Sequence, residues 1–535
     1  MKNIPDYLFD FAQSNPDKPA LLHPDKISFS GLCLLTNRYA AGFQDIGITQ
    51  GMKTIVLVTP GVDFFAITFA LLRIGAVPVM IDPGMGNKAM AYALSKTESR
   101  AFIGIPKAHL LRLMYPHAFR HVEIFVTTGF SLRWQDHSLK AIRKSECFNY
   151  EICHAMPSDV VAVFFTSGST GPAKAVIYQN RMIDAQIKYL RNHFNYKSDD
   201  IDLCTFPLIG LLVICLGLSI VLADMDMTHP LRLKPDKLIM NIEQFNCSSM
   251  FCSPLVLRLI TDYCIANKLH IKSLTRVLTA GAPVSPALLR NIKRVLPECS
   301  VVHTPFGSTE ALSVTDAVDS ELLAVYGNSE NYFNGICVGY PLKGIRLKII
   351  KITDNPVETI ENVQEMNAGE VGEIVVNGPN VTQSYLADDW ASKISKIAES
   401  NSSLLWHRTG DVGKSDENGR IWYFGRKSQR VETGTGTLFT IPCEAVFNQH
   451  PAVFRSALVG IKSNSQTEPV ICIELKAGIK KSEHLVKELL NLAQENKWTK
   501  KVSTVLFHKN FPVDPRHNAK IFREKLSEWA KIQLK

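Results

Sequence analysis

Three common signatures are missing from this 535-residue sequence. Its twelve cysteines include no C-x-x-C pair, and the closest two, Cys247 and Cys252, have no matching second pair. That disfavours a zinc site and fits reduced, mostly buried thiols in a cytosolic protein. The opening Met1-Lys2-Asn3-Ile4-Pro5-Asp6 has no apolar signal core, because Asp6 and Asp10 interrupt it. Basic runs interleaved with aromatics are also lacking, which argues against nucleic-acid binding. With 46% apolar and 20% charged residues the composition is ordinary for a globular protein, and the length requires two or more domains.

Charge is distributed unevenly. Residues 425–535 carry 19 Lys and Arg against 10 Asp and Glu, so the whole net charge of +9 lies there. A neutral body therefore carries a basic C-terminal segment, either as solvated surface or as a small domain that closes over a polyanion or rests on an anionic surface.

One stretch organises the rest. The apolar run Val160 to Phe165 reads as a buried strand, and it leads into Thr166-Ser167-Gly168-Ser169-Thr170-Gly171-Pro172-Ala173-Lys174. A loop of this kind has little side-chain bulk. Its N–H groups and hydroxyls can turn toward one anion, with Lys174 adding a point charge. Its spacing differs from G-x-x-x-x-G-K-[ST]. The same composition also suits a flexible linker.

Upstream, Ile55 to Val58, Phe64 to Ile74 and Val77 to Ile81 read as strand, helix and strand, the order of a parallel sheet with crossover helices. The 19 uncharged residues Thr205 to Ala223 raise a membrane span, but Pro207, Gly210 and Gly217 interrupt them. They are expected to form a buried helix, either lining an apolar channel or packing in the core. Val277 to Thr279 is a strand running into Ala280-Gly281-Ala282-Pro283, and Val301-Val302-His303 another running into Phe306-Gly307-Ser308-Thr309-Glu310. Ligands of open parallel sheets sit beyond strand carboxyl ends. There an aromatic ring can stack a base and a carboxylate can help hold Mg²⁺, although Glu310 alone would pass for a surface carboxylate.

Residues 340–424 look strand-rich, with Glu373–Val376 and Ile421–Phe424 the clearest strands. Between them Asp411, expected after a tight turn, could accept bonds from ribose hydroxyls or could simply form an Asx turn. Past Gly425-Arg426-Lys427, strands are expected at Ala457–Gly460 and Val470–Leu475, a helix at Glu483–Asn496, and a last helix after Ile521.

Five separated segments agree with one family. Thr166 to Lys174, Phe306 to Glu310, Trp406 to Asp411, Gly425-Arg426 and Lys520 with its approach make the chain resemble the adenylate-forming acyl and aryl synthetases over nearly its whole length. The resemblance implies an α/β fold. A large domain, residues 1–427, would hold parallel-sheet αβα layers and a small β-barrel-like subdomain, and a small mobile α+β lid, residues 428–535, would carry Lys520. It also implies that Thr166, Ser167, Gly168, Ser169, Thr170, Gly171 and Lys174 bind the β- and γ-phosphates of ATP. Phe306, beside Gly281, Ala282 and Pro283, would stack on adenine, with Gly307 and Ser308 in the same nucleotide-binding turn. Thr309 and Glu310 would hold the α-phosphate and Mg²⁺, Asp411 the ribose, Arg426 ribose or phosphate, and Lys520 the carboxylate and α-phosphate. Such a reaction needs in-line positioning and cations at developing negative charge.

Departures narrow the choice. The phosphate loop ends Pro172-Ala173-Lys174-Ala175 instead of x-Pro-Lys-Gly, Gln429 replaces the usual hinge Asp or Lys, and the loop Glu432 to Glu444 reads about two residues longer than usual. In acyl-CoA synthetases that loop lines the pantetheine tunnel. Together with Pro83-Gly84-Met85-Gly86, Ile103 to His109, Gln429 to Glu444, and Pro512-Val513-Asp514 with Arg516 to Lys520, these segments are similar to those of bacterial olefin β-lactone synthetases. That implies ATP- and Mg²⁺-dependent closure of a long-chain 2-alkyl-3-hydroxy acid to a β-lactone without CoA. Thiolase-like, reductase and decarboxylase enzymes would be its partners, and its location would be the cytoplasm, with peripheral membrane contact as an alternative. His303 and His517 lie near the motifs, but a lone histidine is more often structural, and no base for the hydroxyl is assigned. Two other readings stay open: a long-chain acyl-CoA synthetase, and a non-catalytic adenylate-binding or membrane-docked scaffold.

Overall fold

The apolar runs that mark strands become the centres of two parallel sheets. The structure, a computed structural model, describes residues 2–130, 136–144, 150–166, 173–327, 332–463, 466–513 and 521–534. The first sheet has seven strands in the order His137–Ser138, Ile124–Thr127, Ala101–Gly104, Lys53–Leu57, Val77–Met80, Val160–Phe165 and Ala175–Gln179. Every neighbouring pair is parallel except the last. The second, also of seven, runs Val301–His303, Arg276–Thr279, Ser249–Cys252, Ile201–Cys204, Ser219–Leu222, Pro19–His23 and Ile27–Ser28, again parallel but for its last pair. Strands covered on both faces need no polar alternation, so Val77–Met80 is buried at every position.

Helices follow these strands with clear start signals. Ser253 and Ser285 each precede a proline, and their hydroxyls accept from Val256 N–H at 3.4 Å and Leu288 N–H at 3.2 Å. The helix Val62–Arg73 fills the layer between the sheets with Phe64, Phe65 and Phe69.

The expected single helix over Thr205–Ala223 is corrected. The helix Pro207–Cys215 stops, and the strand Ser219–Leu222 follows. Gly217 makes the break at φ +81°, a left-handed conformation in which a Cβ would lie 2.3 Å from the Phe11 ring. Among the described residues no helix is long and apolar enough to cross a membrane.

The strand-rich middle is an eight-stranded sheet with antiparallel pairing, ordered Phe306–Ser308, Ala311–Asp316, Ile336–Pro341, Ile421–Arg426, Ser402–Ser415, Gly372–Asn377 and Arg346–Ile350, with Lys396–Glu399 also pairing Ser402–Ser415. Beyond it the chain builds a separate small domain. Val453–Ser463, Gln466–Leu475 and Thr504–Phe507 form its sheet, and Thr440–Asn448, Glu483–Gln494 and Arg523–Gln533 its helices. Eleven described cysteines are unpaired and nine of them are buried.

Candidate nucleotide and acyl site

The strand Val160–Phe165 delivers Thr166 to the edge where the first sheet meets the eight-stranded one. Thr166 N–H donates to Lys174 C=O, and Lys174 N–H to Thr166 Oγ1, both at 3.0 Å, so the two ends of the phosphate-loop candidate are pinned together. Its middle, Ser167, Gly168, Ser169, Thr170 and Gly171, lies outside the described residues. Lys174 Nζ stands 5.0 Å above the Tyr385 ring.

Two tyrosines tie this edge to the Thr309–Glu310 turn. Tyr385 donates to Glu310 Oε1 at 2.7 Å and Tyr178 to Thr309 C=O at 2.6 Å. Burial, with the Glu310 charge second, pushes both phenols up, so both remain donors. Thr382 N–H also donates to Glu310 C=O at 2.9 Å. Nearby Ser308 Oγ is buried and, among the described residues, has no hydrogen-bond partner. One anchored carboxylate beside an unused hydroxyl suits Mg²⁺, which binds through one or two carboxylates plus substrate phosphates.

Asp411 is placed differently from expectation. No tight turn precedes it; it lies inside the long strand Ser402–Ser415. Glu373 pairs with Val412 while Val375 pairs with Arg408, so the segment between bulges, with Gly410 at φ +70°. The bulge brings Asp411 Oδ1 to 3.3 Å from Arg426 Nη1, which also donates to Thr409 C=O at 3.0 Å. Asp411 is the main cause that raises the Arg426 pKa and fixes its charge. Phe306 faces Tyr423 with ring centroids 5.8 Å apart.

All these groups open onto one cavity of about 2100 Å³. Thr166, Lys174, Gly281, Ala282, Pro283, Phe306, Gly307, Ser308, Thr309, Glu310, Asp411 and Arg426 line it. Every described residue expected at the site is therefore brought together. Lys520 and His517 lie outside the described residues, while Ile521 and Arg523 line the same cavity. His303 does not line it; its Nδ1 bonds Asp316 Oδ2 at 2.6 Å, and His193 shares that oxygen at 2.9 Å. The helix that begins at Pro207 does line it, through Leu208, Leu211, Leu212 and Cys215.

Several residues in and around the site carried little sequence signal. Lys396 is buried, and it donates to Thr382 C=O at 2.6 Å and to His407 Nδ1 at 3.0 Å. Burial pushes its ammonium down to about 7, and burial followed by the Lys396 charge holds the His407 imidazole well below its ordinary value. His407 lies within the Trp406–Asp411 motif, and that place was the available hint. The segment read as a loop over Glu432–Glu444 forms the hairpin Val431–Thr433 and Gly436–Leu438 and then enters the helix Thr440–Asn448. That helix carries buried Glu444, gripped by Arg523 Nη2 at 2.7 and 2.8 Å, while Arg523 Nη1 donates to Gln429 at 3.2 Å.

Parallel sheets that gather the two ends of a hydroxyl-rich segment, Thr166 and Lys174, with a carboxylate turn and an Asp–Arg pair around one cavity fit a nucleotide-dependent enzyme. The chain belongs to the AMP-binding enzymes, whose family description matches residues 8–386. It is 37% identical to the olefin beta-lactone synthetase of Xanthomonas campestris, over 99% of this chain and 98% of that relative. The olefin beta-lactone synthetase of Stenotrophomonas maltophilia is likewise 37% identical, with the same 99% and 98% coverage. Among solved structures, the o-succinylbenzoate CoA synthetase of Bacillus subtilis in complex with its acyl-adenylate superposes with a TM-score of 0.77 over 98% of each chain, at 18% identity. The amide bond synthetase McbA of Marinactinospora thermotolerans gives 0.79 over 98% of this chain and 99% of that one, at 18% identity. These two share the fold.

Proposed function

We propose that this enzyme activates a long-chain 2-alkyl-3-hydroxy acid with ATP and closes it to a β-lactone, releasing pyrophosphate and AMP. The supporting observation is one cavity that joins the nucleotide motifs to an apolar interior, in a chain alignable end to end with two olefin beta-lactone synthetases. On this reading the large domain is residues 1–427 and the lid 428–535. The Thr166–Lys174 loop holds the β- and γ-phosphates, Phe306 beside Gly281-Ala282-Pro283 takes adenine, Asp411 takes the ribose, and Arg426 takes ribose or phosphate. Glu310, anchored by Tyr385, holds Mg²⁺, which supplies charge neutralisation on the phosphates. Thr309 orients the α-phosphate and Lys520 neutralises charge on the carboxylate and α-phosphate.

The carboxylate oxygen attacks the α-phosphorus and the bond to pyrophosphate breaks. The 3-hydroxyl oxygen then attacks the acyl carbon, the bond to AMP breaks, and the hydroxyl proton leaves with it. Nucleophile and electrophile share one molecule, so no thiol is needed. The enzyme would act in the cytoplasm beside thiolase-like, reductase and decarboxylase enzymes of the same pathway, with contact to a membrane surface a further part of the reading.

Mass spectrometry of products from a synthetic 2-alkyl-3-hydroxy acid, ATP and Mg²⁺ without CoA tests the reading. The expected products are lactone and AMP. A thioester formed only when CoA is supplied would replace this reading with that of an acyl-CoA synthetase.

A further inference from the structure

The apolar part of the cavity lies on both faces of the first sheet. Successive side chains of a strand point to opposite faces. Val56, Met80, Ala162 and Phe164 belong to the core between the two sheets, and Leu57, Ile81 and Phe165 to the core on the other face, yet all seven line the cavity. It therefore wraps over the strand ends beside Thr166 and Lys174.

The two sides end differently. The inner arm passes Phe64, Leu72, Ile183, Leu212 and Cys215 and reaches Ile4, all buried, so among the described residues its far end is closed. The outer arm runs past Met85, Met90, Ala108 and Leu111 and ends at Leu110 and Met114, which are 46% and 61% exposed, so it is open. Methionine side chains adapt to flexible ligands, and three of them line this arm.

We infer that the two hydrocarbon chains of the substrate part over the strand ends, one entering the closed inner arm and the other lying along the open outer arm. This rests on the proposed β-lactone reaction, whose substrate carries one chain on C2 and another on C3. A branched acid whose carboxylate is held at the nucleotide needs two apolar paths from one polar point, and the two faces of the sheet supply them. The closed arm sets a length limit, while the open arm lets a long chain emerge.

The test is a series of synthetic 2-alkyl-3-hydroxy acids in which the C2 and C3 chains are lengthened independently, with lactone formation as the readout. The wild type is expected to show a sharp length limit at one position and tolerance at the other. Cys215→Trp should lower the limit of the first chain only, and Ala108→Trp should penalise only the second, with kcat/KM falling about tenfold for every two methylenes shut out. Equal limits at both positions in the wild type, or both variants acting on the same chain, overturn the inference while lactone is still made. A wild type that makes no lactone from any member overturns the reaction reading as well.

Discussion

Tyr385 and Glu310 are joined by a 2.7 Å hydrogen bond across 75 positions of sequence, and both line the candidate nucleotide cavity. Tyr385 is 5% exposed, so Tyr385→Phe keeps the ring's packing and removes only the donor. A hydrogen bond to a charged group is worth ~2 kcal/mol. If that energy is expressed in metal affinity, the variant should need about thirtyfold more Mg²⁺ for half-maximal pyrophosphate exchange.

Lys396 makes stability depend on pH. Its ammonium titrates near pH 7 in the folded chain against an ordinary value of 10.5. The cost of burying the charge is therefore fully present below pH 7, shrinks as pH rises, and is gone above 10.5. Thermal or urea unfolding followed from pH 7 to 10 should show wild type gaining on Lys396→Met, at a slope approaching ~1.4 kcal/mol per pH unit. Parallel profiles would show that this lysine is charged throughout.

Arg523→Ala should destabilise the small domain by about 3 kcal/mol, because it leaves Glu444 buried without its cation. Burial raises the Glu444 pKa and Arg523 opposes that rise. Removing the arginine raises it further, so the deficit should be smallest near pH 5 and grow toward neutrality. Denaturation of Arg523→Ala and Arg523→Lys across that range measures it, and the lysine variant should recover part of the loss.

Gly410 has open space where a Cβ would go, with Arg426 Nη1 at 3.8 Å its only neighbour among the described residues, but its φ of +70° penalises any other residue. Gly410→Ala should cost ~1 kcal/mol in stability. By flattening the bulge it should also raise the KM for ATP, measured with the acid saturating, more than it lowers kcat.

Motifs such as Thr166–Lys174 and Phe306–Glu310 were legible because each follows a buried strand, and apolar runs such as Val160–Phe165 announce themselves. What local pattern could not show was set by tertiary pairing. Asp411 was recognisable as a residue type in a motif, but its bulge depends on register with Gly372–Asn377, a partner strand more than 30 positions upstream. Tyr385, Lys396 and Arg523 matter through contacts with Glu310, His407 and Glu444, which composition does not reveal. Thr205–Ala223 misled because lack of charge looks alike in a helix and a buried strand; Gly217, noted as an interruption, was the point at which one became the other.

Arg523 also ties two distant parts of the chain together. Gln429 and Arg523 stand 94 positions apart, near the entrance and the exit of the small domain, and one guanidinium bolts them together with Glu444. Torque applied at Lys427–Gln429 would therefore reach the base of the last helix directly, without passing through the intervening sheet, and a pivot of the proposed lid at that point would swing both of its ends as one piece.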